Sequence, residues 1–347
     1  MAGSTELSIG KAATIYDVAK LANVSHQTVS RVVKGHTNVR PDMRERIEAA
    51  IETLNYRPNL SARSLATSRP HRIGALVYEI AEIGPSKIIE GASAGARDAG
   101  YVLDIVSLDP NDDRAVDSSI ALINQHDLAG ILVFAPTDRV IAAIDRVRFS
   151  VPTYVESDAD QPGREGPTLN EVGVGLLLDH LIGLGHRRFF HISGPPDWVA
   201  SRGRERAYTE TLRAHGLKSV GSVRGDWTSR SGYEAAMKIP LDQRITAVVA
   251  SNDQTALGVM ASLADRSVRV PEDISVVGFD DIPESEYFRP ALTTVRLDFG
   301  HQGRIAIDRL LRMIDAGRPG DALDPLAPKF FPRASSAPAP GATVTNR

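Results

Sequence analysis

The chain has 347 residues, which is enough for two or three domains with cores of their own. Its hydrophobic content of 42% is ordinary for a globular protein, and its formal net charge is −3. It contains no cysteine, which excludes disulfides and thiolate chemistry. No apolar run of about 18 residues and no signal-peptide pattern occurs, so we expect a soluble, cytoplasmic protein.

The first periodic stretch, TIYDVAKLANVSHQTVSRVV, predicts two short amphipathic helices. Apolar residues recur at i, i+3, i+4 and i+7 from Ile15 to Ala22, and a second stripe of valines begins at Val29. Asn23, between the stripes, tolerates the left-handed backbone of a tight turn. Thr14 and Ser25 each precede a stripe, where a hydroxyl can cap the first turn of a helix.

The outer face of the second predicted helix carries His26, Gln27, Ser30 and Arg31. It has several hydrogen-bond donors and no acid. Arg can donate two hydrogen bonds to guanine in the major groove, and Gln can pair in the same way with adenine. In a helix-turn-helix, the start of the second helix contacts base edges. The simpler alternative is a solvated polar face on a helical hairpin.

A third helix is predicted from about Pro41 to Leu54, and it completes a minimal three-helix core. The following segment, NYRPNLSARSLATSRP, contains Pro58, which breaks the helical pattern, and Asn59, which can cap a new short helix. Leu65 is apolar in this basic linker. Such a side chain can act as a minor-groove wedge that kinks the duplex.

This whole stretch resembles the DNA-binding headpiece and hinge of the lactose repressor (LacI/GalR) family, through TIYDVAKLANVSHQTVSRVV, VRPDMRERIEAAIETLNYRPN and ARSLAT. The resemblance implies that residues 59 to 65 become helical on the operator and that Leu65 intercalates. It also implies a set of DNA-contacting residues, namely Thr14, Tyr16, Ser25, His26, Gln27, Thr28, Ser30, Arg31, Asn59, Ala62 and Leu65.

Charge is divided unevenly along the chain. Residues 1 to 69 carry ten Lys or Arg and six Asp or Glu, whereas the remainder carries 30 basic and 37 acidic residues. A basic front segment joined to an acidic body fits a phosphate-binding module attached to a domain with another task. This bias supports the prediction of double-stranded DNA as a partner.

From His71 onward, predicted strands alternate with predicted helices, which indicates parallel sheets covered on both faces. The first series begins with RIGALVY and ends with VPTYVES, and the second ends with ISVVGFDD. Two such series predict two doubly wound lobes. The body resembles the family's effector domain, which implies an α/β two-lobed, type I periplasmic-binding-protein-like fold behind a small all-α helix-turn-helix headpiece.

We therefore predict four segments. Residues 1–58 form the DNA-binding headpiece, ordered from 14, and 59–70 form the hinge helix and linker. Residues 71–333 form the effector-binding and dimerisation domain, with a first lobe at about 71–157 and 298–333 and a second at about 165–292. The Pro-, Ala- and Ser-rich residues 334–347 are predicted to be a disordered tail.

Ligands of open α/β sheets bind beyond the carboxyl ends of the strands. Polar or aromatic residues follow several predicted strands here: Glu156, Trp227, Asn252 with Asp253, and Asp280 with Asp281. Arg204 begins a predicted helix nearby. Carboxylate, amide and guanidinium groups suit sugar hydroxyls, and an indole packs against the apolar face of a pyranose. The simpler alternatives are helix caps for Asn252 and Asp253, a core role for Trp227, and loop polar groups for Asp280 and Asp281.

Similarity to galactoside-responsive members implies particular roles. Arg204, Asn252 and Asp280 would bind hydroxyls and Trp227 would stack on the sugar. Pro85 and Ile88 would form an apolar wall, and Glu156 and Phe299 would complete the set. Those members tend to have Asp and Gln where this chain has Glu156 and Leu297, and Glu82-Ile83 replaces a more apolar loop. These departures change the pattern of hydroxyls that would fit.

We do not expect an enzyme. GASAG at 91–95 matches G-x-S-x-G, but Ser93 lies well inside a predicted helix, whereas a nucleophile elbow turns directly from strand into helix. Small residues on a helix packed against a sheet explain this motif better. The sequence has no phosphate-binding glycine loop and no H-E-x-x-H, and Gly173 and Gly175 lack the third glycine and preceding strand of a dinucleotide site. No cofactor or metal is expected.

The sequence thus predicts a DNA-binding transcriptional regulator, a repressor, controlled allosterically by a small effector. We expect a sugar, a galactoside or a related one, and the alternative is a corepressor-type regulator responding to a purine or phosphorylated metabolite. The tail has no leucine heptads, so we expect a homodimer on a roughly palindromic operator.

Overall fold

The computed structural model describes residues 13–33, 38–56, 70–108, 113–157, 166–318, 323 and 326–341. The chain divides into two compact units, Met1–His71 and Arg72–Arg347. The predicted hinge residues Asn59, Ala62 and Leu65 lie outside the described residues.

The described residues of the first unit form three short helices, α1 (Ile15–Ala22), α2 (His26–Val33) and α3 (Pro41–Thr53). Their apolar stripes meet in a small core, in which Val18, Val29 and Ile47 are fully buried. Asn23, between α1 and α2, has a φ of 53°, which is the left-handed conformation expected for this turn. The predicted helical pair with its tight turn is confirmed.

Strands alternate with helices through the first half of the second unit, which contains β1 (Arg72–Tyr78), α4 (Ile83–Asp98), β2 (Val102–Leu108), α5 (Asp113–Asn124), β3 (Gly130–Phe134), α6 (Asp138–Asp145) and β4 (Thr153–Glu156). The strands form a parallel sheet in the order β2-β1-β3-β4. The central strands β1 and β3 are buried almost throughout, which explains their continuous apolar sequences. We call this sheet with its helices the first lobe.

The second half repeats the pattern with α7 (Leu169–Gly183), β5 (Phe189–Ser193), α8 (Val199–Ala214), β6 (Ser219–Arg224), α9 (Ser229–Ala236), β7 (Ala247–Ala250), α10 (Asp253–Asp265) and β8 (Ser275–Val277). Its parallel sheet has the order β6-β5-β7-β8, the same relative order as in the first lobe. This second lobe confirms the prediction of two doubly wound α/β units.

In the described part of the remaining chain, the elements are β9 (Thr294–Arg296), α11 (Phe299–Ile314) and β10 (Lys329–Phe331). Helix α11 returns to the first lobe, as predicted, and packs against α4 and β3. Strand β10 does not join the first sheet. It pairs antiparallel with β9, and Phe330 packs on the core of the second lobe. The assignment of all of 298–333 to the first lobe is therefore wrong at β10, whose backbone finds its partner in β9.

Helices α4 and α11 approach each other closely because both carry glycine at the contact. A Cβ at Gly91 would clash with the carbonyl oxygen of Gly300, and a Cβ at Gly303 would clash with that of Ile88. Gly95 faces the side chain of Ile307 in the same interface. Ala92 of the same segment is fully buried in a cluster with residues of β1 and β3. The small residues of the GASAG segment thus serve the helix-sheet contact that the sequence predicted and, in addition, a close helix-helix contact.

The prediction of a disordered tail from residue 334 is wrong for 334–341. Ser335 is fully buried, and its Oγ donates to the carbonyl of Val276 at 2.6 Å and accepts from the backbone N–H of Thr293 at 2.8 Å. The backbone N–H of Ala339 donates to the carbonyl of Leu184 at 2.9 Å. Hydrogen bonds to the second lobe order this segment, although its composition offers little apolar area to bury.

Within the described ranges, no helix has the length and apolar character needed to span a bilayer.

Candidate DNA-binding face and ligand cavity

Both predicted caps of the helix-turn-helix are formed. Thr14 Oγ1 accepts from the backbone N–H of Asp17, whose carboxylate accepts from the N–H of Thr14 at 2.8 Å. Ser25 Oγ accepts from the N–H of Thr28 at 3.2 Å. These caps satisfy otherwise unpaired amides and fix the first turn of each helix. The start of α2 is therefore held in place.

The outward face of α2 presents His26, Gln27 and Arg31, all of them exposed, while Thr28 and Ser30 are half-buried. Tyr16, at the start of α1, is 66% exposed, and its ring centroid lies 5.2 Å from that of His26. Arg31 has no ion-pair partner among the described residues, so its guanidinium is available to an external acceptor. Eight of the eleven residues predicted to contact DNA are described, and they lie at the caps or on the outer sides of α1 and α2.

A cavity of roughly 880 Å³, part of it open to solvent, lies between the two lobes of the second unit. Three of its residues end strands of the first sheet, namely Tyr78, Phe134 and Glu156. Trp227, Asn252 and Asp280 lie two or three residues after the ends of strands of the second sheet. All eight predicted effector residues line this one cavity: Pro85, Ile88, Glu156, Arg204, Trp227, Asn252, Asp280 and Phe299.

Arg204 is the central cation of the cavity, and it is only 6% exposed. Its Nε donates to Asn170 Oδ1 at 2.8 Å, one Nη donates to the carbonyl of Ser251, and the other to Asp280 Oδ1 at 3.2 Å. Its guanidinium also lies 3.8 Å from the centroid of the Phe279 ring. A guanidinium has five N–H donors, so two remain for a ligand.

Asp280 and Trp227 both have left-handed backbones, with φ of 105° and 73°. Non-glycine residues in this region are strained, and such residues concentrate at ligand-binding sites. Burial raises the pKa of Asp280, and the neighbouring Arg204 opposes that shift. Arg204 thus offsets part, but not all, of the effect of burial on this carboxyl group.

Trp227 is both a core residue and a cavity residue. Its ring packs edge-on against Trp198, with centroids 5.6 Å apart, and only 7% of the residue is exposed. The Nε1–H is buried without a hydrogen-bond partner among the described residues. Trp227 therefore packs in the core, as the alternative proposed, and also lines the cavity, as predicted.

Asn252 likewise combines two roles. Its Oδ1 accepts from the N–H of Thr255 and caps α10 at 2.9 Å, while its Nδ2 donates to the carbonyl of Trp227 at 3.0 Å. This second bond ties the end of β7 to the strained loop after β6. Asn252 therefore helps to position Trp227 in addition to lining the cavity.

The first-lobe side of the cavity carries a second polar group. Glu156 Oε1 accepts from Gln302 Nε2 at 3.0 Å, and its Oε2 accepts from the Tyr154 hydroxyl at 3.0 Å. The guanidinium of Arg309 lies 3.9 Å from Oε2. The predicted residue Glu156 is thus held by three neighbours.

Asp253 and Asp281 lie outside the cavity. Asp253 is fully buried and accepts from the hydroxyls of Ser285 and Thr294, each at 2.6 Å. Burial raises the pKa of Asp253 to about 7 despite these bonds. Asp281 pairs with Arg296 and, at 2.7 Å, with Arg333. Asp281 therefore has a structural role, which agrees with the simpler alternative of a polar group in a loop.

Several cavity residues were not predicted from the sequence, namely Tyr78, Phe134, Asn170, Trp198, Gln254 and Gln302. Tyr78 and Phe134 are the last residues of β1 and β3, so the strand-end rule could have found them. Asn170 and Gln302 lie in the first turns of α7 and α11, and no sequence pattern marks those turns as facing the cavity.

Among the described residues, no group of three or more His, Asp or Glu side chains could hold a metal ion. A basic helix-turn-helix, joined in sequence to two parallel-sheet lobes around one cavity, defines the class of ligand-responsive DNA-binding proteins.

Comparison with known proteins agrees with that class. Residues 14–59 match the family model described as bacterial regulatory proteins, lacI family, and residues 178–336 match a periplasmic binding protein-like domain. The lactose operon repressor of Escherichia coli (strain K12) is 33% identical over 87% of this chain and 85% of its own length. The ribose operon repressor of the same strain is 30% identical over 87% and 93%.

A crystal structure of the lac repressor dimer bound to operator and the anti-inducer ONPF superposes with a TM-score of 0.81 at 31% identity, covering 94% of this chain and all of that one. The chain belongs to the LacI family of bacterial regulatory proteins. It is a DNA-binding transcriptional regulator and not an enzyme, as the sequence predicted.

Proposed function

We propose that this regulator is a repressor whose affinity for operator DNA is set by a neutral sugar bound between the lobes, with galactosides as the first candidates. The observation that carries this proposal is the charge balance of the cavity. Arg204 is the sole cation among the described residues lining it, and it pairs with Asp280. Glu82 and Glu156 line the same cavity. An anionic ligand would meet two further carboxylates and no unpaired cation.

The state of Glu82 supports this reading. Burial raises its pKa, and the negative charges of Glu79, Asp280 and Asp226 raise it further. A group of carboxylates that disfavour each other's charge marks a region of negative potential. Neutral polyhydroxy ligands are suited to such a cavity, because their hydroxyls can donate to the carboxylates.

In the proposed complex, Arg204, Asn252 and Asp280 bind hydroxyls from the second lobe, and Glu156 does so from the first. Trp227, Phe299, Pro85 and Ile88 contact the apolar C–H surface of the sugar. The names of two relatives, the lactose operon repressor and the ribose operon repressor, support a role in sugar metabolism.

For the headpiece, we infer that His26, Gln27 and Arg31 read base edges in the major groove. Thr14, Tyr16, Ser25, Thr28 and Ser30 would contact phosphates or flank those bases. The hinge residues Asn59, Ala62 and Leu65 would enter the minor groove, with Leu65 as the wedge. The structure of a relative with operator DNA supports this assignment.

The proposed mechanism is a shift between two arrangements of the lobes. A ligand that favours one arrangement by ~3 kcal/mol would change operator affinity by at most roughly 150-fold. Two hinge segments in a dimer would become helical only when correctly spaced. A ligand that instead favoured the DNA-binding arrangement would act as a corepressor.

We further propose a homodimer that acts in the cytoplasm, with the headpiece at 1–58, a hinge at 59–70 and the effector domain from 71. The solved lac repressor dimer supports the same state. A stable tetramer at micromolar concentration in sedimentation would contradict it.

The decisive experiment has two stages. Isothermal titration would compare lactose, cellobiose, methyl β-D-galactopyranoside and ribose with adenine, hypoxanthine and glucose 6-phosphate. A gel shift on an operator found by unbiased selection would then be run with and without each compound that binds. We expect a neutral sugar to bind and to weaken the DNA complex. Binding of purines or phosphates alone would reject the sugar proposal.

A purine corepressor is the second candidate, because the cavity is rich in aromatic rings. Tyr78 and Trp198 pack edge-to-face with centroids 5.4 Å apart, next to Trp227. A base could stack within this group. In that case adenine or hypoxanthine would bind in the titration and strengthen, rather than weaken, the DNA complex.

A further inference from the structure

Gln302 lies in the first turn of α11 and lines the cavity from the first lobe. Its backbone N–H donates to the carbonyl of Asp298 at 2.9 Å, and its side chain is half-buried. Its Nε2 donates to Glu156 Oε1 at 3.0 Å. Two cavity residues from different elements are thus joined by one hydrogen bond.

That bond fixes the orientation of the Gln302 amide. An ionised carboxylate only accepts hydrogen bonds, so the NH₂ group must face Glu156. The carbonyl oxygen Oε1 points the other way, and it makes no hydrogen bond to any described residue. Gln302 therefore offers an unused acceptor in the cavity.

The Glu156 carboxylate is also fixed before any ligand binds. The Tyr154 hydroxyl donates to Oε2, and the same hydroxyl accepts from Arg309, whose guanidinium lies 3.9 Å from Oε2. Burial raises the pKa of Tyr154, as does the charge of Glu156, so this phenol stays protonated and able to donate. A site whose polar groups are held in advance loses less conformational entropy on binding.

We propose that Gln302 and Glu156 form an acceptor pair that reads one hydroxyl of the effector, and that Gln302 thereby determines which sugars bind. The inference rests on the proposed sugar-binding function. In this pair the hydroxyl would donate to Gln302 Oε1, and an analogue without that hydroxyl leaves this oxygen unpaired.

The acceptor pair lies on the first lobe, whereas Arg204, Asn252 and Asp280 belong to the second. A sugar bound by both groups spans the two lobes. Its hydroxyl pattern therefore decides both how tightly it binds and whether it holds the lobes together, which links selectivity to the proposed switch.

The test measures selectivity rather than affinity alone. Wild-type protein, Gln302→Met and the control Gln125→Met are titrated with methyl β-D-galactopyranoside, methyl β-D-glucopyranoside and the monodeoxy analogues of each. Gln125 is exposed, follows α5 in the same lobe and does not line the cavity. Removing the hydroxyl read by the pair should weaken wild-type binding about 10- to 100-fold. In Gln302→Met the same removal should cost less than about threefold, with losses at the other hydroxyls unchanged.

A second variant separates recognition from packing. Gln302→Glu keeps an acceptor oxygen at the same reach and loses the donor to Glu156, so it should bind more weakly yet keep most of its discrimination against the deoxy sugar. Equal loss of discrimination in both variants, or none in either, overturns the role of Gln302 while the sugar-binding function stands. If neither parent glycoside nor lactose, cellobiose or ribose binds wild-type protein, the sugar-binding function fails and the acceptor pair fails with it. Thermal unfolding without sugar checks that each variant is folded.

Discussion

Arg204 organises the site with three of its five N–H donors and keeps two for a ligand. Its contacts reach Asn170 on α7, the end of β7 and Asp280 after β8, so it fixes the relative positions of three elements around the cavity. Its stacking on Phe279 holds the guanidinium plane. A planar fork of donors is what this geometry requires, and lysine cannot supply it.

Arg204→Lys should therefore lower sugar affinity by more than about tenfold, because a single ammonium cannot serve Asn170, Ser251 and Asp280 together. The free energy of unfolding should fall by about 1–3 kcal/mol, since a buried partner loses its bond. Titration calorimetry and urea unfolding measure the two effects. Arg213→Lys, at an exposed position on the same helix, is the control. Unchanged affinity in Arg204→Lys would remove Arg204 from the binding site.

His191 is a second informative residue, buried on β5 and stacked on Tyr208 with ring centroids 4.4 Å apart. Burial lowers its pKa to about 4, whereas an unfolded histidine has a pKa of about 6.5. The neutral ring is favoured in the folded state. Its contribution to stability is therefore present above about pH 6.5 and is lost as the pH falls toward 4.

Between pH 7.5 and pH 5 this difference corresponds to about 2 kcal/mol of stability. His191→Phe keeps an aromatic ring and removes the titration, so its urea-derived free energy of unfolding should fall by about 2 kcal/mol less than that of wild type over this range. His126→Phe, at an exposed histidine, is the control. An identical pH dependence in His191→Phe and wild type would show that His191 does not carry it.

On the DNA side, Arg31→Ala should weaken operator binding by roughly 1 to 3 kcal/mol and relax the preference at one base pair. The reason is the loss of a pair of hydrogen bonds to a base edge. Arg46→Ala, exposed on α3, is the control and should leave the preference for operator over random DNA unchanged. Binding selections with both variants give the readout. Equal losses on operator and random DNA for Arg31→Ala would place Arg31 on phosphate instead.

At the scale of elements, the close contact of α4 and α11 depends on glycine. Gly303→Ala would push a methyl group into the Ile88 carbonyl, so we expect a loss of about 1–3 kcal/mol in stability. Gly175→Ala is the matched control, because nothing lies within 4 Å of its added Cβ. That change should stabilise α7 by about 0.5–1 kcal/mol. Urea unfolding compares the pair, and a Gly303→Ala protein as stable as wild type would mean that the helices can separate freely.

Most strands and helices could be predicted, because the pattern of buried positions in each element sets the spacing of apolar residues in its sequence. β1, β3 and β7 are covered on both faces and read as apolar runs, while α1 and α2 carry a clear stripe. The failures occurred where non-local hydrogen bonds decide the structure. Lys329–Phe331 is a strand because β9 is beside it, and Ser335 is ordered because it bonds to β8 and to Thr293. Composition does not report such partners.

At the scale of the molecule, the sequence predicted those cavity residues that lie at or just after the ends of strands. Glu156 ends a strand, Trp227, Asn252 and Asp280 follow strands, and parallel sheets gather such positions at one edge. Gln302 and Asn170 reach the cavity from helices, and their approach depends on how the lobes are arranged in space. A residue that follows a strand does not always face the cavity. Asp281 follows the same strand as Asp280, but its carboxylate pairs with Arg296 and Arg333.

The ordered segment 334–341 has a practical consequence for handling the protein. Affinity tags, fluorescent fusions or surface-attachment sequences placed at the carboxyl end should be joined after residue 341. A truncation after residue 333 would remove the Ser335 hydroxyl and expose the backbone of β8, whose Val276 N–H and carbonyl both bond to Ser335. Material shortened in that way would lose yield and solubility for reasons unrelated to DNA or ligand recognition.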